Sequence, residues 1–126
     1  MGTILAIIER AHRGAVEQQY AHVLWLVHGL HRQSPMTVLL RGTAAVYALD
    51  AEPPPRLRLG GAELVHVPDY RAAMDRLRTD GATVLVSAEC LDRVRSPGAP
   101  LLPGVTPVTA AEIAATAAAC DRIWYL

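Results

Sequence analysis

The sequence lacks several features, and each absence excludes a class of protein. It contains no lysine and no phenylalanine, and its twelve arginines are balanced by twelve acidic residues. Without an excess of positive charge, the chain shows no electrostatic footprint for nucleic acid or for an anionic membrane surface. The opening stretch, MGTILAIIER, has no basic region before its apolar run, so we do not expect a secretory signal. No apolar run approaches the roughly 18 residues that a membrane-spanning helix needs.

Cysteine is scarce as well, since the chain has only Cys90 and Cys120. Two cysteines without a secretion signal indicate the reducing cytoplasm, where thiols stay free. The use of arginine alone as the basic residue, together with abundant alanine, is typical of a GC-rich bacterial genome. At 126 residues with 52% apolar and 19% charged residues, the chain is expected to form one folded domain, residues 1–126.

Strand-like and helix-like patterns alternate along the whole chain. TILAII and TVLVS are continuous apolar runs, which are typical of strands covered on both faces. The predicted strands are residues 3–8, 34–40, 62–67, 83–87 and 122–126, with residues 105–108 as a short extended piece. The predicted helices are residues 15–32 (approximately), 42–49, 69–81, 88–95 and 110–121. Residues 50–61 and 96–104 are rich in proline and glycine and are predicted to be loops.

Short alternating units of strand and helix favour a parallel sheet with right-handed crossovers. We therefore predict an α/β three-layer sandwich, with a five-stranded, mostly parallel sheet and helices on both faces. Residues 3–8 and 83–87 are expected to be inner strands because both are apolar on each face. In such a sheet, functional groups collect beyond the carboxyl ends of the strands.

Known motifs are missing from those strand ends. The sequence has no GxGxxG, no GxxxxGK[ST] and no GxSxG, so neither a nucleotide site nor a hydrolase elbow is predicted. The five histidines do not form a metal signature, because His28 and His31 have no third ligand at a standard spacing. We predict no metal site.

Cys90 is the best candidate for chemistry in this chain. If a helix begins near Ala88, the Cys90 thiol lies in its first turn, where free backbone N–H groups favour a thiolate. Arg93 and Arg95 would add positive charge, whereas Glu89 would oppose it. The alternative is a buried cysteine that packs as a small apolar residue. The residues leave both interpretations open for Cys90, while Cys120, inside an alanine-rich helix, is predicted to be structural.

Several stretches together resemble the DsrE/DsrF-like family of small α/β proteins, which is related to the TusD-type sulfur-relay subunits. The resemblance covers the opening strand, the long helix, VLLRGTAAVYAL, SAECLDR, LLPGV and CDRIWYL. It implies a trimer or hexamer, or assembly with related subunits. It also implies that sulfur is carried as a cysteine persulfide between donor and acceptor proteins, without a metal or organic cofactor.

One position departs from the family pattern. Members with Cys-x-x-Cys at this turn have their sulfur-carrying cysteine where this chain has Ser87, and Cys90 matches the second cysteine. A serine hydroxyl cannot hold a persulfide. Either Cys90 accepts and passes on the sulfur, or the chain is a non-catalytic oligomeric module that binds a small ligand or a partner protein. The remaining candidate binding residues are Arg93, His12, Arg13 and Arg41.

Overall fold

The computed structural model describes residues 3–9, 27, 29, 30, 35–50, 57–64 and 70–125. Most of the long helix predicted over residues 15–32 lies outside these ranges. Its described residues, Val27, Gly29 and Leu30, are helical, and Val27 is fully buried.

The described elements follow one another in the order that the sequence pattern indicates. The strands are β1 (Ile4–Ile8), β2 (Met36–Leu40), β3 (Leu57–Leu59), β4 (Ala62–Leu64), β5 (Thr83–Ser87), β6 (Val105–Val108) and β7 (Arg122–Tyr125). The helices are a 3-10 helix (Gly42–Ala48), α1 (Tyr70–Thr79), α2 (Ala88–Val94) and α3 (Ala110–Ala119). Within this part of the chain, none of the helices combines the length and the apolarity needed to cross a bilayer.

Five strands form one sheet in the order β6-β5-β2-β1-β7, and every neighbouring pair is parallel. The predicted α/β fold with a five-stranded parallel sheet is confirmed. β1 and β5 each have a neighbouring strand on both sides, so they are inner strands, as their continuous apolar runs predicted.

Two predictions about the middle of the chain are wrong. Of the third predicted strand, residues 62–67, the described residues 62–64 form β4, which is not part of the main sheet, and residues 65–67 lie outside the described ranges. Residues 57–59, which were predicted to belong to a loop, form β3. β3 and β4 pair with each other as an antiparallel hairpin, and residues 60–61 form its turn. Gly60 has a φ of +63°, which a tight hairpin turn favours and which glycine adopts without strain. The main sheet instead includes β6, which the sequence indicated only as a short extended piece.

Side chains of the inner strands alternate between two apolar clusters, one on each face of the sheet. The main cluster packs against the 3-10 helix, α1, α2 and Val27, and its strand members are Ile4, Ala6, Ile8, Met36, Val38, Leu40, Val84 and Val86. The second cluster is smaller and packs against Ile113 and Ala117 of α3; its buried members are Leu5, Ile7, Leu39 and Val108. Helices therefore cover both faces, which gives the three layers.

Candidate functional site

The carboxyl ends of β1, β2 and β5 lie side by side along the border of the sheet where the parallel strands end, which we call the carboxyl edge. Ile8 is in register with Leu40, and Leu40 is in register with Val86. The residues that follow these three positions are Glu9, Arg41 and Ser87. Because neighbouring strands lie about 4.8 Å apart, the three residues form a row at this edge. The sheet thus brings two of the predicted site residues, Arg41 and Ser87, to adjacent positions.

Ser87 joins the end of β5 to the start of α2. It is the N-cap of α2, and its Oγ accepts a hydrogen bond from the backbone N–H of Cys90 at 3.3 Å. A serine in this position satisfies an N–H group that the helix itself cannot bond. Ser87 is only 6% exposed, so the cap is shielded from water. The strand-to-helix turn predicted over SAEC is confirmed, and Cys90 lies in the first turn of α2.

Cys90 is neither fully buried nor fully exposed. Its side chain is half-buried and packs against the main apolar cluster. The thiol is free, since neither cysteine of the chain forms a disulfide. Cys90 therefore combines the packing of a small apolar residue with partial access from solvent, which a small reagent or a partner's persulfide requires.

Arg93 does not stand beside Cys90 as an isolated cation. Its guanidinium Nη2 lies 2.9 Å from Oε1 of Glu89, one helical turn away, and both side chains are 73% exposed. An exposed pair of this kind contributes about 0.5 kcal/mol or less to stability. Its two charges largely cancel at a distance, so the positive potential expected at Cys90 from Arg93 is reduced by Glu89.

Arg41 is held at the sheet edge by two contacts with the end of β1. Its backbone N–H donates to the Ile8 carbonyl oxygen at 2.9 Å, and its Nη1 lies 3.3 Å from Oε1 of Glu9. Gly42 follows with a φ of +54°, and a Cβ atom built there would lie 2.6 Å from the Glu9 carbonyl oxygen. Glycine is required at this position because the backbone approaches the end of β1 so closely.

The acidic partners Glu9 and Glu89 were not among the predicted site residues. Glu9 directly follows the first strand, and Glu89 lies four residues before Arg93 on the same helix. Both positions were visible in the sequence, since an i,i+4 acid–base pair is a known helix pattern. What the sequence does not contain is the register that places Glu9 beside Arg41.

The other predicted candidates, His12 and Arg13, lie outside the described residues, as do all five histidines of the chain. Across the ranges that are described, no group of three or more histidine, cysteine or acidic side chains is arranged to hold a metal ion.

Cys120 lies far from Cys90 in the fold. It is the C-cap residue of α3, is half-buried and packs against the second apolar cluster. Asp121, the next residue, bonds through its backbone N–H to the carbonyl oxygen of Thr3, just before β1. Cys120 is therefore on the other face of the sheet and at the amino edge, whereas Cys90 is at the carboxyl edge.

Comparison with known proteins shows the fold. No family model matches the chain, and no curated protein matches its sequence. Among solved structures, the chain is similar to the ychN protein from E. coli, with a TM-score of 0.78, 19% sequence identity and 100% of each chain covered. At this identity the likeness establishes a common fold over the full length of both chains, and the fold alone.

Proposed function

We propose that this protein is a DsrE-like sulfur-relay protein that accepts a sulfur atom on Cys90 as a persulfide and passes it on. The observation that supports this most directly is the position of Cys90. It is a free, half-buried thiol in the first turn of α2, where the carboxyl ends of the parallel strands meet. The sequence resemblance to the DsrE/DsrF-like family gives that thiol its chemistry, and the shared fold is consistent with it.

The proposed reaction is a transfer of one sulfur atom between thiolates. The Cys90 thiolate attacks the terminal sulfur of a donor persulfide, which forms Cys90–S–S⁻ and releases the donor as a thiol. An acceptor thiolate then attacks the same terminal sulfur and restores the Cys90 thiolate. No electrons are gained or lost overall, and the resemblance implies that no metal or organic cofactor takes part.

The neighbouring residues have separate proposed roles. Ser87 orders the first turn of α2, and Arg41, beside it at the sheet edge, binds the incoming partner after leaving Glu9. Arg93 is paired with Glu89 on the exposed surface of α2, and we propose that it contacts the incoming partner. His12 and Arg13 follow β1 in the sequence, and we propose that they contact the acceptor.

Mass spectrometry of the intact protein tests this function. The chain is incubated with a cysteine desulfurase and cysteine, and we expect a mass gain of one sulfur that dithiothreitol reverses. Cys90→Ser should abolish the gain, while the matched variant Cys120→Ser should retain it. An unchanged mass in the folded wild-type protein would refute the relay function.

A second function is favoured by the way position 87 is used. The residue that would carry sulfur in the related relay subunits is here a buried serine that caps a helix, and Cys90 packs against the core. In this case the chain is a non-catalytic DsrE-like module that binds a small ligand or a partner protein at the same edge. It would then leave Cys90 unmodified under the conditions of the desulfurase experiment.

We also propose that the chain assembles with copies of itself or with related subunits. In the sheet formed by the described residues, β7 is an edge strand next to β1, and two of its large apolar residues are exposed: Ile123 (43%) and Tyr125 (67%). An exposed apolar edge strand is a common site of association. In the sequence, Trp25 and Leu26 fall off the main apolar stripe of the helix predicted over residues 15–32 and would add apolar surface for association, but both lie outside the described residues.

A further inference from the structure

The two cysteines of this chain cannot form a disulfide with each other in the folded state. They are the only cysteines in the sequence, and they pack against different apolar clusters on opposite faces of the sheet. Cys90 lies at the border of the sheet where the parallel strands end, and Cys120 lies at the border where they begin. The length of β1, which runs from one border to the other, is about 16 Å. A disulfide requires Cα atoms about 4.4–6.8 Å apart.

Ser87 occupies a position from which a thiol would reach Cys90. Its Oγ already contacts the Cys90 backbone N–H at 3.3 Å, and the residue is only 6% exposed. Residues three apart at a helix terminus have Cα atoms roughly 5 Å apart, which is within the range that a disulfide bridges. The position is suited to a resolving thiol, and this chain has a hydroxyl there.

We infer that Ser87 makes Cys90 a single-thiol site, meaning a thiol that no second thiol of the same chain can reach. This inference rests on the proposed function. Sulfur bound at a single-thiol site leaves only when a thiolate from another molecule attacks it. The rate of sulfur release is then set by that acceptor and not by the carrier itself.

The contrast with a cysteine at position 87 can be written as a balanced reaction. In a Ser87→Cys protein, the new thiolate would attack Sγ of Cys90, form the 87–90 disulfide, break the bond from Sγ to the outer sulfur and expel HS⁻. The two electrons that reduce the outer sulfur to sulfide come from the two cysteine thiols, so no further oxidant or reductant is needed. Serine cannot perform this step because its hydroxyl is not a sulfur nucleophile. Ser87 also retains the helix cap, which is consistent with its burial.

The inference is tested with sulfur loaded chemically, so that it does not depend on a protein donor. Wild-type, Ser87→Cys and Ser87→Ala proteins are treated anaerobically with sodium polysulfide, desalted and incubated at low micromolar concentration without added thiol. Sulfide release is followed by colorimetry, and peptide masses locate the sulfur and any disulfide. Ser87→Ala is the matched control, because it removes the cap without adding a thiol.

The expected result is a difference of at least tenfold in the rate of sulfide release. Ser87→Cys should release one sulfide per loaded chain and end as the 87–90 disulfide. Wild type and Ser87→Ala should retain the persulfide until dithiothreitol is added. Release from the wild type at the Ser87→Cys rate, or a Cys90–Cys120 disulfide in the wild type, would overturn the inference. A folded Ser87→Cys protein that keeps its persulfide as long as the wild type would also overturn the inference. If Ser87→Cys does not fold, the inference is tested by whether the wild type keeps its persulfide until dithiothreitol is added.

Failure of the proposed function gives a different pattern. If the wild-type protein takes sulfur from polysulfide but not from the desulfurase, the relay function is refuted, whereas the inference of a single-thiol site still holds. A wild-type Cys90 that takes sulfur from neither source overturns both.

Discussion

Replacing Gly42 by alanine should destabilise the protein more than the same change at a glycine where the added Cβ atom would meet no other atom within 4 Å. Gly42 has a φ of +54°, in the left-handed region, where an alanine side chain costs about 1–2 kcal/mol. A Cβ atom there would also lie 2.6 Å from the carbonyl oxygen of Glu9. That oxygen belongs to the backbone at the end of β1, so the contact cannot be relieved by rotating a side chain.

The two costs can be separated with a control variant. Gly81, which follows α1, has a φ of +91°, and a methyl group added there would meet nothing within 4 Å. Gly81→Ala therefore measures the conformational cost alone, which we expect to be about 1 kcal/mol after the entropy gained by restricting the unfolded chain. Gly42→Ala adds the displacement of β1 from β2, and overpacking of this kind typically costs about 1–3 kcal/mol. The total for Gly42→Ala should therefore be about 2–4 kcal/mol.

Urea unfolding followed by circular dichroism measures both variants against the wild type. With a dependence of about 1–3 kcal/mol per molar urea, Gly42→Ala should lower the midpoint by about 1–2 M, and Gly81→Ala should lower it by about a quarter to a half of that amount. If Gly42→Ala is no less stable than Gly81→Ala, the approach of Gly42 to Glu9 does not constrain the sheet edge. The arrangement of Arg41 described above would then need another explanation.

Three further outcomes are expected. Thr109→Ala removes a capping box in which Thr109 and Glu112 bond each other's backbone N–H groups, and should lower the free energy of unfolding by about 1 kcal/mol, measured by urea titration. Arg93→Ala should slow iodoacetamide alkylation of Cys90 at neutral pH without altering the circular dichroism spectrum; an unchanged rate would show that Glu89 fully cancels the Arg93 charge. Replacing Tyr125 with aspartate should shift the mass measured by light scattering at micromolar concentration from oligomer towards monomer. A wild-type monomer in that experiment would contradict self-association.

Much of the fold could be predicted because the inner strands are continuous apolar runs. β1, β2 and β5 are covered on both faces, and burial of that kind leaves a clear pattern in the sequence. β6 was harder to recognise as a sheet strand, since Thr106 and Pro107 are polar or lack a backbone donor and are exposed on an edge. The β3–β4 hairpin was missed although its Gly-Gly turn was visible, because the proline run just before it favoured a loop.

The candidate site was only partly predictable for a different reason. Ser87 and Cys90 are three residues apart, so their relation follows from local helix geometry. The pair of Glu9 and Arg41 joins residues 32 positions apart and depends on the register of β1 and β2, which no local pattern specifies. The pairing of Glu9 with Arg41 therefore depends on the assembled sheet and could not be predicted from either stretch of sequence alone.

The position of β7 has a consequence for how the chain folds during synthesis. β1 is made first, yet its neighbour β7 follows after more than 110 residues, and the bond from Thr3 to Asp121 joins residues 118 apart. Contacts between distant residues slow folding, because a long loop must close before they form. While the ribosome adds the intervening residues, at about 5–20 per second, one side of β1 has no strand to pair with. For several seconds the nascent chain therefore exposes an apolar strand edge, and it is in this interval that a chaperone or a second nascent chain would meet it.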